Sequence, residues 1–110
     1  MGLRYNVYLD DYNIYACKVC NTHLSRHNDI ASRNFHGQHG KAFLFNTVVN
    51  VTLSAPEKRS MTTGEHKVCD IYCRQCGTCV GWRYEKAYEQ AERYKEGKFI
   101  LEIELIVHRK

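Results

Sequence analysis

Long apolar runs are missing from this chain: nowhere do about 18 apolar residues stand together, so no membrane-spanning helix is expected. The N-terminus also lacks the apolar core of a secretory signal, so export is not expected either. Gly2 precedes Asn6, where an acyl-transfer pattern requires Ser or Thr, and lipidation is not expected. Proline occurs once, at Pro56, and no Gly- or Ser-rich stretch appears, so nothing divides residues 1–110 and a single domain is expected. A dense run of positive charge is lacking too. The formal net charge is +4, but Lys and Arg are spread among twelve acids and the longest basic cluster is His108-Arg109-Lys110. A solvated surface accounts for that pattern better than a phosphate-binding stripe, and nucleic acid is not expected as a partner.

What the chain does have is thiols. Six cysteines in 110 residues, in a chain expected to stay in a reducing compartment, point to metal binding in preference to disulfides. A domain this small also gains from an added cross-link. Cys17-Lys18-Val19-Cys20 is one Cys-x-x-Cys turn, and Cys73, Cys76 and Cys79 form two overlapping pairs. A metal-binding knuckle needs a residue tolerant of positive φ after its second cysteine. Gly77 follows Cys76 and Asn21 follows Cys20, whereas β-branched Val80 follows Cys79. The expected ligands are therefore Cys17, Cys20, Cys73 and Cys76. His23 has ligand-like spacing, but two matched knuckles already complete a tetrahedral site. Four protein thiolates around one ion describe a closed structural zinc site, with no open position for catalysis.

The 52 residues between the pairs (residues 21–72) exceed the spacing of an ordinary zinc ribbon, about 15–20 residues. The ion must tie together distant parts of a larger domain. Two-residue alternation indicates what that domain is made of. In residues 41–51, Phe43, Phe45, Thr47, Val49 and Val51 share one face; in residues 98–107, Phe99, Leu101, Ile103, Leu105 and Val107 do, with Glu102 and Glu104 opposite. Shorter strands are expected at residues 12–16, 60–62, 66–72 and 80–84, a long loop at 29–40, and one short helix within 85–96, ended by Gly97. The chain reads as mainly β. Val80, Trp82 and Tyr84 alternate onto one face, and His66 and Asp70 share parity on their strand. Cys69 reads as a buried, apolar-like thiol, and His36 and His39 as a weak second metal pair.

These residues resemble the Yippee family. The resemblance runs from about Tyr15 to Ile106 and rests on both knuckles with their separation, on GKAFLFN at residues 40–46, VVNV at 48–51, DIYC at 70–73, GWRY at 81–84 and YKEGKFI at 94–100. Residues 1–8 resemble the short fungal form. The resemblance implies a β-tent, two antiparallel sheets pinned at one end by one zinc ion, an architecture also found in the cereblon ligand-binding domain, Mis18, viral-RNA sensors and B-type methionine-sulfoxide reductases. It further implies a ligand pocket with Asn50, Trp82 and Tyr84, to which His66, by its strand parity, would add a polar contact. With a single tryptophan, a three-tryptophan cage cannot form. The family's implied role is a non-catalytic recognition or adaptor protein, a regulatory component associated with a CTLH-type ubiquitin ligase and with cell division or stress adaptation, in nucleus and cytoplasm. Its expected partners are ligase subunits, with a small molecule or modified peptide as candidate ligand. Two alternatives are binding of a nucleic-acid end and methionine-sulfoxide reduction, the latter requiring an activated Cys69 or Cys79.

Overall fold

The computed structural model describes residue 9 and residues 13–110. The fungal-type opening at residues 1–8, the acylation question at Gly2 and the expected strand start at Tyr12 lie outside the described residues.

Among the described residues ten strands form two antiparallel sheets. The smaller contains β1 (Ile14–Cys17), β2 (His23–Arg26) and β10 (Ile106–Arg109), with β1 in the middle. The larger contains β3 (Ile30–Gly37), β4 (Gly40–Phe45), β9 (Phe99–Glu102), β8 (Cys79–Ala87), β7 (Gly64–Cys73) and β5 (Val51–Leu53) in that spatial order, with β6 (Glu57–Met61) also paired to β7. The helical content among the described residues is three short 3-10 segments, His27–Asp29, Gln90–Lys95 and Ile103–Leu105.

Several expected boundaries are corrected. The loop expected at 29–40 is instead β3, whose mostly polar residues occupy an edge strand exposed to water. The expected helix is a strand as far as Ala87, then the 3-10 segment Gln90–Lys95. The two long strand readings each break in half. Residues 41–51 split because β4 ends at Phe45 and residues 46–50 leave strand geometry, with Asn50 at φ 61° just before β5. Residues 98–107 split at Ile103–Leu105, where the chain leaves the larger sheet for the smaller.

Neighbouring residues on a strand face opposite ways, and the larger sheet uses both faces. Phe45, Val51, Ile71, Cys73, Val80 and Leu101 meet Tyr15, Cys17, Leu24 and Ile106 of the smaller sheet in one core. The next residues along β4 and β9, Leu44 and Ile100, join Ala42, Val68 and Tyr84 in a second cluster made wholly within the larger sheet, with Phe35, Met61 and Trp82 packed over it. Val80 and Trp82, expected on one face, are thus on opposite sides. A register shift between Ile71 and Tyr72, opposite Cys79–Gly81, inverts the alternation. At that point β8 and β9 approach so closely that a Cβ on Gly81 would stand 1.8 Å from the Ile100 carbonyl oxygen.

Candidate metal centre and recognition groove

The thiols of Cys17, Cys20, Cys73 and Cys76 all lie within 4.8 Å of one another. Cys17 Sγ is 3.6 Å from Cys76 Sγ, and Cys20 Sγ is 3.5 Å from Cys73 Sγ. A tetrahedral zinc with Zn–S near 2.3 Å sets its sulfurs about 3.8 Å apart, so the four fit that ion. One thiol pair comes from the end of β1, the other from the end of β7, one strand from each sheet.

The two knuckles repeat the same hydrogen bonds. Asn21 N–H donates to Cys17 O and Gly77 N–H to Cys73 O, both at 2.8 Å, with φ of 64° and 80°. Cys17 N–H donates to Thr22 O at 2.9 Å and Cys73 N–H to Thr78 O at 2.8 Å. Thr22 Oγ1 lies 3.0 Å from Cys20 Sγ, and Thr78 Oγ1 lies 3.2 Å from Cys76 Sγ. Hydroxyls in these places stabilise thiolates once a metal is bound. Burial pushes the Cys17 thiol up to about 12 and raises Cys73 too. At Cys76 burial acts in the same direction, but hydrogen bonds from Thr78 and the neighbouring thiols outweigh it and bring the thiol down to about 6. A divalent cation removes this conflict by holding all four as thiolates. Zinc there would supply a cross-link between the sheets.

Among the described residues, the other face of the larger sheet carries no second sheet. It opens as a groove of about 1310 Å³, walled by Phe35, Trp82, Tyr84 and Tyr94 and rimmed by charged groups. At one end Arg59 holds Asp70 through two hydrogen bonds of 3.0 and 2.9 Å, and Glu57 at 2.7 Å. At the other end Lys95, 3% exposed, puts its ammonium 2.7 Å from Glu92 Oε1 and 3.0 Å from Thr63 Oγ1. The rings of Phe35, Tyr84 and Tyr94 surround that ammonium at 5.2, 5.3 and 5.9 Å. Glu102, 5% exposed, also lines the groove; its Oε1 accepts from His39 N–H at 2.8 Å and lies 3.1 Å from His39 Nδ1.

A family model described as Yippee zinc-binding/DNA-binding/Mis18, centromere assembly, matches residues 13–109. The chain belongs to this Yippee/Mis18 family. It is 56% identical over 89 residues to a yippee-like protein of Arabidopsis thaliana, covering 81% of this chain and 70% of that one. It is 47% identical over 100 residues to human yippee-like 3, covering 90% and 84%. The crystal structure of the Mis18 Yippee-like domain superposes with a TM-score of 0.69 at 12% identity, over 89% of this chain and 95% of that one, which establishes likeness of fold.

In this Yippee-family chain the four expected metal ligands come together. The other expected site residues do not form one group. Trp82 and Tyr84 line the groove with rings 6.2 Å apart at 79°. His66, fully buried, sits 5.2 Å from the Tyr84 ring with Nδ1 3.0 Å from Gly64 O and Nε2 without a hydrogen-bond partner among the described residues. Asn50 is elsewhere. Its Nδ2 donates to His23 O at 2.7 Å and its carbonyl accepts from Arg74 N–H at 2.8 Å, so it braces both knuckles from the zinc end. His23 Nδ1 accepts from Leu9 N–H and takes no part in the thiol cluster. His39 is committed to Glu102, and His36 is exposed on β3. Cys69 is 3% exposed and Cys79 is exposed as a residue; in both, desolvation of the sulfur is the main cause that raises the thiol.

Sequence reasoning missed Glu102, Lys95 and Phe35. Glu102 alternates like an outward-facing strand residue, Lys95 sits in a polar segment, and Phe35 lies in what reads as a loop. The signal available for Glu102 was Gly37, where a Cβ would stand 2.5 Å from the Glu102 carboxylate.

Proposed function

We propose that this protein is a non-catalytic recognition and adaptor module, its zinc site a scaffold and its working surface the groove on the uncovered face of the larger sheet. The observation that carries this reading is the groove itself: aromatic walls on a sheet face that, among the described residues, no second sheet covers. Catalysis by a cysteine is disfavoured, because Cys69 and Cys79 both have raised thiols where a nucleophile needs a lowered one. Family membership supports the finer assignment: a regulatory component associated with a CTLH-type ubiquitin ligase, working in nucleus and cytoplasm in cell division or stress adaptation.

Affinity purification of tagged protein under gentle lysis tests it, with Trp82→Ala as the paired control. Ligase subunits should co-purify with the wild type and be depleted with the variant; their absence from both sinks the assignment. Fluorescence microscopy of the same tagged chain should place it in both compartments.

Nucleic-acid binding has one specific observation in its favour. On the smaller sheet His27, Tyr15 and His108 stack, with His27 and His108 5.3 Å apart and 4° from parallel. Arg33 reaches His27 at 3.1 Å, and Arg33 and Lys41 both lie over Phe43. The DNA-binding term in the family description agrees with that basic, aromatic patch. Salt-sensitive retardation of a short oligonucleotide, lost in Arg33→Ala, is the expected result on this reading; no retardation at low salt removes it.

A further inference from the structure

We infer that the groove takes a cationic side chain, a lysine ammonium carried on an extended segment of a partner protein. The inference rests on the reading of the groove as the recognition surface and adds the chemistry that it selects.

Charge is the first support. The chain as a whole carries +4, yet the groove is lined by the carboxylates of Glu57, Asp70, Glu92 and Glu102 against two cations, Arg59 and Lys95. Both cations are already engaged, Arg59 by Glu57 and Asp70, Lys95 by Glu92. That leaves Glu102. Among the described residues no lysine or arginine forms an ion pair with it, and its contacts are with His39 on one oxygen. A carboxylate 5% exposed is costly without a cation beside it. A Cβ on Gly37 would stand 2.5 Å from this carboxylate, so the group lies close against β3.

The second support is internal. Lys95 demonstrates what this groove does with an ammonium: aromatic faces surround it and a carboxylate meets it. Trp82 and Glu102, both lining the groove, offer the same two kinds of group. Size gives the third support. At about 1310 Å³ and open to solvent, the groove exceeds the usual small-ligand pocket of about 300–1,000 Å³ and suits an extended peptide.

The single tryptophan makes the test direct, since Trp82 supplies the only indole N–H resonance of the chain. The ¹⁵N-labelled, zinc-loaded protein is titrated with a seven-residue Gly/Ala peptide bearing a central lysine, with its norleucine isostere, and with its glutamate counterpart. The lysine peptide should shift the Trp82 indole saturably and bind at least tenfold more tightly than norleucine, with no binding of the glutamate peptide. Glu102→Gln should weaken the lysine peptide by a similar factor while zinc content stays the same. Equal binding of lysine and norleucine, or tighter binding of glutamate, overturns the cationic assignment but leaves the groove as a recognition surface. If no peptide moves the indole, the recognition reading falls with it. Should Glu102→Gln fail to retain zinc, the wild-type comparison of lysine with norleucine decides alone.

Discussion

Asn21 and Gly77 occupy the same backbone position in two knuckles that lie 56 positions apart in sequence, each at positive φ and each donating its N–H to the first cysteine's carbonyl at 2.8 Å. The positive φ lets the turn fold back so that both thiols of a pair face one ion. Only glycine adopts it without strain, and asparagine tolerates it. A Cβ at Gly77 meets nothing within 4 Å, so a substitution there reports backbone strain alone.

Gly77→Ala should therefore cost about 1–2 kcal/mol in the metal-bound state, weakening zinc affinity roughly 5- to 30-fold. Asn21→Gly should change it little, since the relief of strain offsets loss of the exposed hydrogen bond from Arg109. Competition titration with a chromophoric chelator measures both. Equal losses at the two positions would contradict the account.

The thiols themselves divide into two classes. Removing the metal from a site that links both sheets should unfold the chain, because the smaller sheet, three strands among the described residues, shares one core with the larger. A strong chelator should collapse the near-ultraviolet circular dichroism and lower the melting temperature, and zinc should restore both. Cys73→Ser should behave like the chelated protein. Cys79→Ser, outside the thiol cluster, should keep one zinc per chain by elemental analysis and melt within a few degrees of wild type.

The knuckles were legible because their chemistry is local: a pair of thiols three apart and the residue after them state the whole requirement. The mainly β character was legible for the same reason, in the alternation of Phe43 with Phe45 and of Phe99 with Leu101. The groove was not, because it is assembled from β3, β6, β7, β8, β9 and the 3-10 segment at Gln90–Lys95. A register shift decides that Trp82 and Val80 part company, and alternation alone cannot detect one. Asn50 illustrates the opposite error. Resemblance put it in a pocket, but its positive φ and its bonds to His23 and Arg74 make it a brace for the metal site.

Lys95 tests how the groove is held together. Its stem and ammonium fill the space among three rings and satisfy Glu92, so Lys95→Ala should leave both a cavity and a carboxylate without its cation. A loss of about 2–3 kcal/mol is expected by denaturant titration. Lys95→Met refills the volume without the charge and should recover about half of that. Identical losses in the two variants would show that packing contributes nothing, and a loss under about 0.5 kcal/mol would mean that the ammonium is not held where the rings surround it.

The histidine stack makes stability depend on pH, and its sign can be worked out. Burial is the largest cause of the lowered pKa of His108, and the neighbouring charges of His27, Lys110 and Arg33 act in the same direction. The folded state therefore binds the proton less readily than the unfolded chain, whose histidine titrates near 6.5. The contribution to stability is fully present above about pH 6.5 and is lost as pH falls through the lower folded value. By NMR, the His108 ring should titrate below 6.5, and added salt should bring it closer to that value by screening Arg33 and Lys110. Asn13 Oδ1 lies 3.1 Å from His108 Nε2 and accepts from an N–H there, which the neutral ring supplies as well as the charged one. His108→Gln should flatten the fall in melting temperature between about pH 7 and 5.5. A slope unchanged by that substitution would assign the acid sensitivity to other groups, the zinc thiolates foremost.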